Sequence, residues 1–107
     1  MSFFSKLFGI NQSSAIDLGT AISEGAFLVD VRSKSEFESG TASGAVNIPV
    51  EIIAQKLDRF KGKSNIVVFC RSGNRSSAAK RILESKGIKN IINGGSWQQV
   101  AQTMQQQ

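Results

Sequence analysis

The chain has no histidine and only one cysteine, Cys70, in its 107 residues. One cysteine cannot close an internal disulfide, and without histidine there is no zinc or haem ligand set, so no metal or other cofactor is implied. The absence of a disulfide framework makes a reducing, cytoplasmic setting the default expectation. The missing histidine also removes the commonest general base, so chemistry at Cys70 needs another way to ionise the thiol. Long apolar runs are absent too. The opening "MSFFSKLFGI" is interrupted by Lys6 and is too short for a signal-peptide core or a membrane span, so no stable membrane insertion is expected. Proline occurs once, at Pro49, and no Gly/Pro-rich linker or internal repeat divides the sequence. The expected organisation is one domain over residues 11–107. Before it lies a segment, residues 1–10, whose Phe3, Phe4, Leu7 and Phe8 fall on one helical face and either dock on the domain or stay loose.

Acidic residues are scarce in one half. Residues 1–58 carry four basic and seven acidic side chains, whereas Arg59 to Lys89 carry nine basic and one acidic. Surface lysines such as Lys61, Lys63 and Lys89 are expected on a solvated basic face, and the sharper alternative is a field that draws small anions toward Cys70. The basic stretch has no interleaved aromatics beyond Phe60 and Phe69 and no reader motif, so nucleic acid is not an expected partner.

Apolar runs of strand length alternate with helical patterns. "AFLVDV", "GAVNIP", "SNIVVFC" and "IKNIING" read as strands. "SSAIDLGTAISEG", "SKSEFESG", "EIIAQKLDRF", "RSSAAKRILESKG" and "SWQQVAQTMQQQ" read as helices, with Ile52, Ile53, Leu57 and Phe60 along one face of the third. The strands lack apolar/polar alternation. That combination predicts an α/β domain with a small parallel sheet of four to five strands and helices on both faces.

The strongest strand stops at Cys70 and runs into "RSGNRSS". In an open parallel sheet, ligands bind outside the carboxyl ends of the strands, so the sulfur is expected at that edge. Gly73 accepts positive φ freely and Asn74 tolerates it, which lets the loop curl with its N–H groups inward. The following helix adds the positive end of its dipole. Lowering a thiol pKa from about 8.5 to about 6.5 needs roughly 2.7 kcal/mol of preference for thiolate. Loop N–H groups, the helix end and the charges of Arg71 and Arg75 are the available sources. Four residues separate Cys70 from Arg75. Cysteine-dependent phosphatases place one more there, and the shorter loop suits a single sulfur atom better than a tetrahedral phosphate.

Four stretches, "FLVDVRSKSEFESG", "SGAVNIP", "VVFCRSGNRSSAAKRILESKGIKNI" and "NGGSW", resemble the rhodanese-like family in their order along the chain. The resemblance implies a single-domain sulfurtransferase. Cys70 would take the outer sulfur of thiosulfate or a persulfide donor and pass it to a thiol or to cyanide. Arg71, Ser72, Gly73, Asn74 and Arg75 match the family's substrate-binding loop. Asp30 and Arg32 match its Asp-x-Arg, which supports the loops. The implied partners are a small anionic sulfur donor and a thiol acceptor. The alternative is a sulfur carrier that delivers the Cys70 persulfide to a partner protein. Two positions depart from the family pattern: Thr41 stands where a histidine is usual, and Trp97 follows the double glycine sooner than usual.

Overall fold

The two most apolar runs of the sequence lie side by side in the middle of one sheet. In the computed structural model, which describes residues 16–107, β1 (Phe27–Asp30) pairs in parallel with β3 (Ile66–Cys70), Val29 opposite Val68 and Asp30 opposite Phe69. The short β2 (Val46–Asn47) flanks β1, and β4 (Ile91–Ser96) flanks β3, giving the order β2-β1-β3-β4 with every pairing parallel. Four strands form the sheet, within the expected four to five. The N-terminal segment, residues 1–10, lies outside the described residues.

Period-two geometry sends alternate residues of β3 to opposite faces, and both faces are covered. Ile66, Val68 and Cys70 join Val29 in a cluster with Ala79 and Leu83 of α3 (Asn74–Ser85) and with Ile53 and Phe60. Val67 and Phe69 face the other way, against Ala21 of α1 (Leu18–Ser23) and Val100 of α4 (Trp97–Gln105), the named α2 being Lys34–Glu38. All five residues of β3 are buried, which is why the strand reads as an unbroken apolar run. Each large side chain buried this way contributes about 1.5–3 kcal/mol of transfer free energy. Cys70 is the last residue of this fully buried strand.

One expected helix is not one helix. "EIIAQKLDRF" forms two 3-10 helices, Val50–Gln55 and Leu57–Arg59. Pro49 fixes the entry with φ −56 and ψ 145, and Lys56 breaks the path between them at φ −120 and ψ 29. Ile53 and Phe60 still reach the core, but the three-residue turn carries Ile52 out to 37% exposure.

Candidate active site

Cys70 ends β3 at the carboxyl edge of the sheet, and its residue surface is 1% exposed. The chain turns at Gly73, whose φ of 98 lies in the left-handed region, and α3 begins at Asn74. Positive φ in this loop falls on Gly73 alone, while Asn74 is already helical. The turn brings the Gly73 N–H to donate to Cys70 Sγ at 3.0 Å. Ser76, buried in the first turn of α3, places Oγ 3.4 Å from the same sulfur. Burial alone pushes the thiol pKa up. Hydrogen bonds from the Ser76 hydroxyl and from the backbone N–H groups of Ser76, Ser72 and Gly73 outweigh it, bringing the value from 9.0 down to about 7. The start of a 12-residue helix beside the sulfur acts in the same direction.

The loop arginines part company. Arg71, Ser72 and Asn74 are exposed, and Arg71 pairs with no acidic side chain among the described residues. Arg75 reaches across to α2, where Nη1 donates to Glu36 Oε1 at 2.7 Å and Nη2 to Oε2 at 3.0 Å. Ser33 accepts from the Glu36 N–H at 3.3 Å and donates its own N–H to Oε1 at 3.2 Å, a capping box that fixes the carboxylate. Arg75 first, then the Ser33 N–H, pull the Glu36 carboxyl down from 4.5 to about 2.

The basic half of the sequence is not gathered around the sulfur. Lys61, Lys63 and Lys89 line a cavity of about 270 Å³ among the residues that lead into β3 and β4, at the opposite edge of the sheet. Four strand residues precede Cys70 from that edge, a span of roughly 13 Å at about 3.3 Å per residue, beyond the Debye length of about 8 Å at physiological salt. Local charge at Cys70 therefore comes from Arg71 and a largely neutralised Arg75.

Asp30 and Arg32 form a buried layer beneath the loops that leave β1. Arg32 Nη2 meets Asp30 Oδ2 at 2.7 Å and also donates to the Gly40 carbonyl, while Arg32 Nε and the Arg32 backbone N–H each donate to Asp30 Oδ1 at 3.0 Å. Thr41 Oγ1 adds a fourth donor to this carboxylate, at 2.7 Å from Oδ2. The Arg32 guanidinium lies 5.5 Å from the centroid of the Trp97 ring, so Trp97 packs the support layer from the α4 side.

A family model described as "Rhodanese-like domain" matches residues 14–103. The chain belongs to the rhodanese-like domain family. A rhodanese domain-containing protein of Drosophila melanogaster is 36% identical over 91 residues, covering 71% of this chain and 82% of the fly protein. The thiosulfate sulfurtransferase PspE of Escherichia coli K12 is 28% identical over 75 residues, covering 68% and 72%. Among solved structures, a human single-domain sulfurtransferase superposes with a TM-score of 0.65 at 28% identity, covering 77% of this chain and 87% of the human one.

In this rhodanese-like domain, three neighbours of the site come from positions that the sequence pattern does not single out: Glu36, Ser76 and Asn93. The Ser33-x-x-Glu36 spacing is a capping-box signal that could have flagged Glu36. Ser76 directly follows Arg75 in the loop sequence, and Asn93 directly precedes Gly94-Gly95. Among the described residues no group of three or more His, Cys, Asp or Glu side chains could hold a metal ion, and no helix is long and apolar enough to cross a membrane.

Proposed function

We propose that this domain is a sulfurtransferase that moves sulfane sulfur from thiosulfate or a persulfide donor to a thiol or cyanide, through a Cys70 persulfide, in a reducing cytoplasmic compartment. The observation that carries the reading is the set of donors converging on a thiol at the carboxyl edge of a parallel sheet. They bring its pKa to about 7 without a histidine. Near neutral pH about half of such thiols are thiolate, the reactive form.

In the first half-reaction the thiolate attacks the outer sulfur of thiosulfate. A Cys70–sulfur bond forms, the sulfur–sulfur bond of thiosulfate breaks, and sulfite leaves with the electron pair. The product persulfide carries its negative charge on the outer sulfur, where the loop N–H groups and the start of α3 stabilise it. In the second half-reaction an acceptor thiolate or cyanide attacks that outer sulfur and Cys70 departs as thiolate. A thiol of low pKa leaves faster, so the same set of donors serves both steps. Exposed Arg71 meets the anionic donor, and Arg75 acts with Glu36 to hold the start of α3. Ser72, Gly73 and Asn74 provide the loop backbone, while Asp30 with Arg32 fixes the chain that leaves β1 through the Gly40 carbonyl and Thr41.

Supplying thiosulfate and cyanide tests the proposal. Sulfite and thiocyanate should appear in equal amounts, and Cys70→Ser should yield neither, because a hydroxyl cannot store sulfane sulfur. Thiocyanate production by folded Cys70→Ser removes the proposal.

A further inference from the structure

The Ser76 hydroxyl carries one hydrogen and faces two acceptors. Asn93 Oδ1 lies 2.7 Å from Ser76 Oγ, and Cys70 Sγ lies 3.4 Å from it. The Asn93 amide cannot turn over without loss. Its Nδ2 donates to the Gly73 carbonyl at 3.2 Å, and its Oδ1 also accepts the Gly95 N–H at 3.0 Å. A reversed amide would set oxygen against the carbonyl and NH₂ against the N–H. Oxygen therefore faces Ser76, and the shorter contact takes the hydroxyl hydrogen. With a neutral thiol this leaves a Ser76 lone pair toward sulfur, and the chain runs S–H to Oγ, then O–H to Oδ1.

Loss of the thiol proton breaks that order. A lone pair then faces an anion, which is repulsive, while a hydrogen bond to the anion is roughly twice as strong as a neutral one. Rotation about one bond redirects the hydroxyl hydrogen, and no proton is transferred. We infer that the Ser76 hydroxyl is a two-position donor, held on Asn93 while Cys70 is a thiol or persulfide and turned onto Sγ while it is a thiolate, with Asn93 as its positioning residue. In the persulfide the inner sulfur is neutral and the charge sits one atom farther out, so the hydroxyl returns to Asn93. Only this loaded-state part rests on the sulfurtransferase reading.

The charged groups around Cys70 do not perform this role. Arg71 is exposed in the loop, Arg75 on α3 is bound by Glu36 of α2, and Glu51 of the first 3-10 helix acts on Arg75. The Asp30–Arg32 pair closes β1 on the Trp97 side of the sheet, away from the α3 face to which Cys70 belongs.

Thiolate absorbance of the unloaded full chain, followed against pH, tests the inference independently of sulfur transfer. Ser76→Ala should raise the Cys70 midpoint by about one to two pH units, the worth of one hydrogen bond to a charged group. Asn93→Leu frees the hydroxyl from its competitor and should lower the midpoint by about 0.5–1 pH unit. In the Ser76→Ala background, Asn93→Leu should no longer lower it, since Asn93 acts through the hydroxyl. A purely structural Asn93, whose loss loosens the Gly73 turn, predicts a rise in both backgrounds. A rise or no change for Asn93→Leu overturns the inference. Asn93→Asp gives a second measure: it keeps the competing oxygen, adds charge and should raise the midpoint, less so when Ser76 is alanine. An equal rise in both backgrounds also overturns it.

Discussion

Glu36 and Arg75, 39 residues apart in the chain, hold each other in a two-pronged pair at 2.7 and 3.0 Å. The pair ties α2 to the first turn of α3, the helix whose start faces Cys70. It also sets the loop arginines apart, since Arg75 is paired with Glu36 while Arg71 stands exposed.

The division is measurable with two sulfur donors. Arg71→Ala should slow loading from thiosulfate by about tenfold, the low end for a charge-assisted contact made in the transition state. It should change loading from an uncharged persulfide donor much less. Arg75→Ala should slow both donors alike, because it loosens the start of α3. A donor-selective loss in Arg75→Ala would assign that side chain to the anion instead.

The Glu36 carboxyl at about 2, against an ordinary 4.5, makes the pair pH-sensitive. Its folded value is depressed, so its contribution is fully present above about 4.5 and is lost as pH falls through about 2. At pH 7, Glu36→Gln should lower the thermal midpoint by about 2–4 °C, a modest figure because both side chains are about one-third exposed. That gap should close between pH 4.5 and 2. A gap that stays constant in a thermal melt series across this window contradicts the assignment.

Thr41 supplies a donor to the fully buried Asp30. Thr41→Val keeps the shape and removes the hydroxyl, which should cost about 1–3 kcal/mol in denaturant unfolding. Sulfur loading should change little, since Asp30 and Cys70 serve opposite faces of the sheet. A large loss of loading at unchanged stability would move Thr41 into the reacting site.

The centre of the fold was legible because β1 and β3 are apolar on both faces, leaving long runs that only a doubly covered sheet explains. The Cys70 turn was legible because Gly73 marks the positive φ at which α3 starts. The double 3-10 turn after Pro49 was not, because apolar residues at helical spacing also fit a tighter path that buries Ile53 and Phe60 and exposes Ile52. Nor were the partners of the loop side chains. Glu36 comes to Arg75 from α2, and Asn93 comes to Ser76 from β4, across 17 residues. Periodicity carries no record of such pairings. Lys61, Lys63 and Lys89 line the far edge of the sheet, as a solvated basic face would, and do not form a field at Cys70.

Gly94 shows how closely the sheet is packed behind the site. A Cβ there would lie 2.8 Å from Val100 Cγ2 and 2.9 Å from Val67 Cγ1, closer than real contacts allow. Both valines are fully buried, so neither can swing aside. Gly94→Ala should destabilise by roughly 1–3 kcal/mol in denaturant unfolding, as overpacking does. A neutral result would mean that β4 and α4 separate more readily than their packing indicates.

The central claim is that Cys70 itself carries the transferred sulfur. The direct measurement is intact and peptide mass after brief incubation with thiosulfate and removal of excess reagent. One added sulfur atom is expected, located on the peptide containing Cys70 and removed by cyanide with full return of the starting mass. No added sulfur, or sulfur that cyanide does not remove, contradicts that claim.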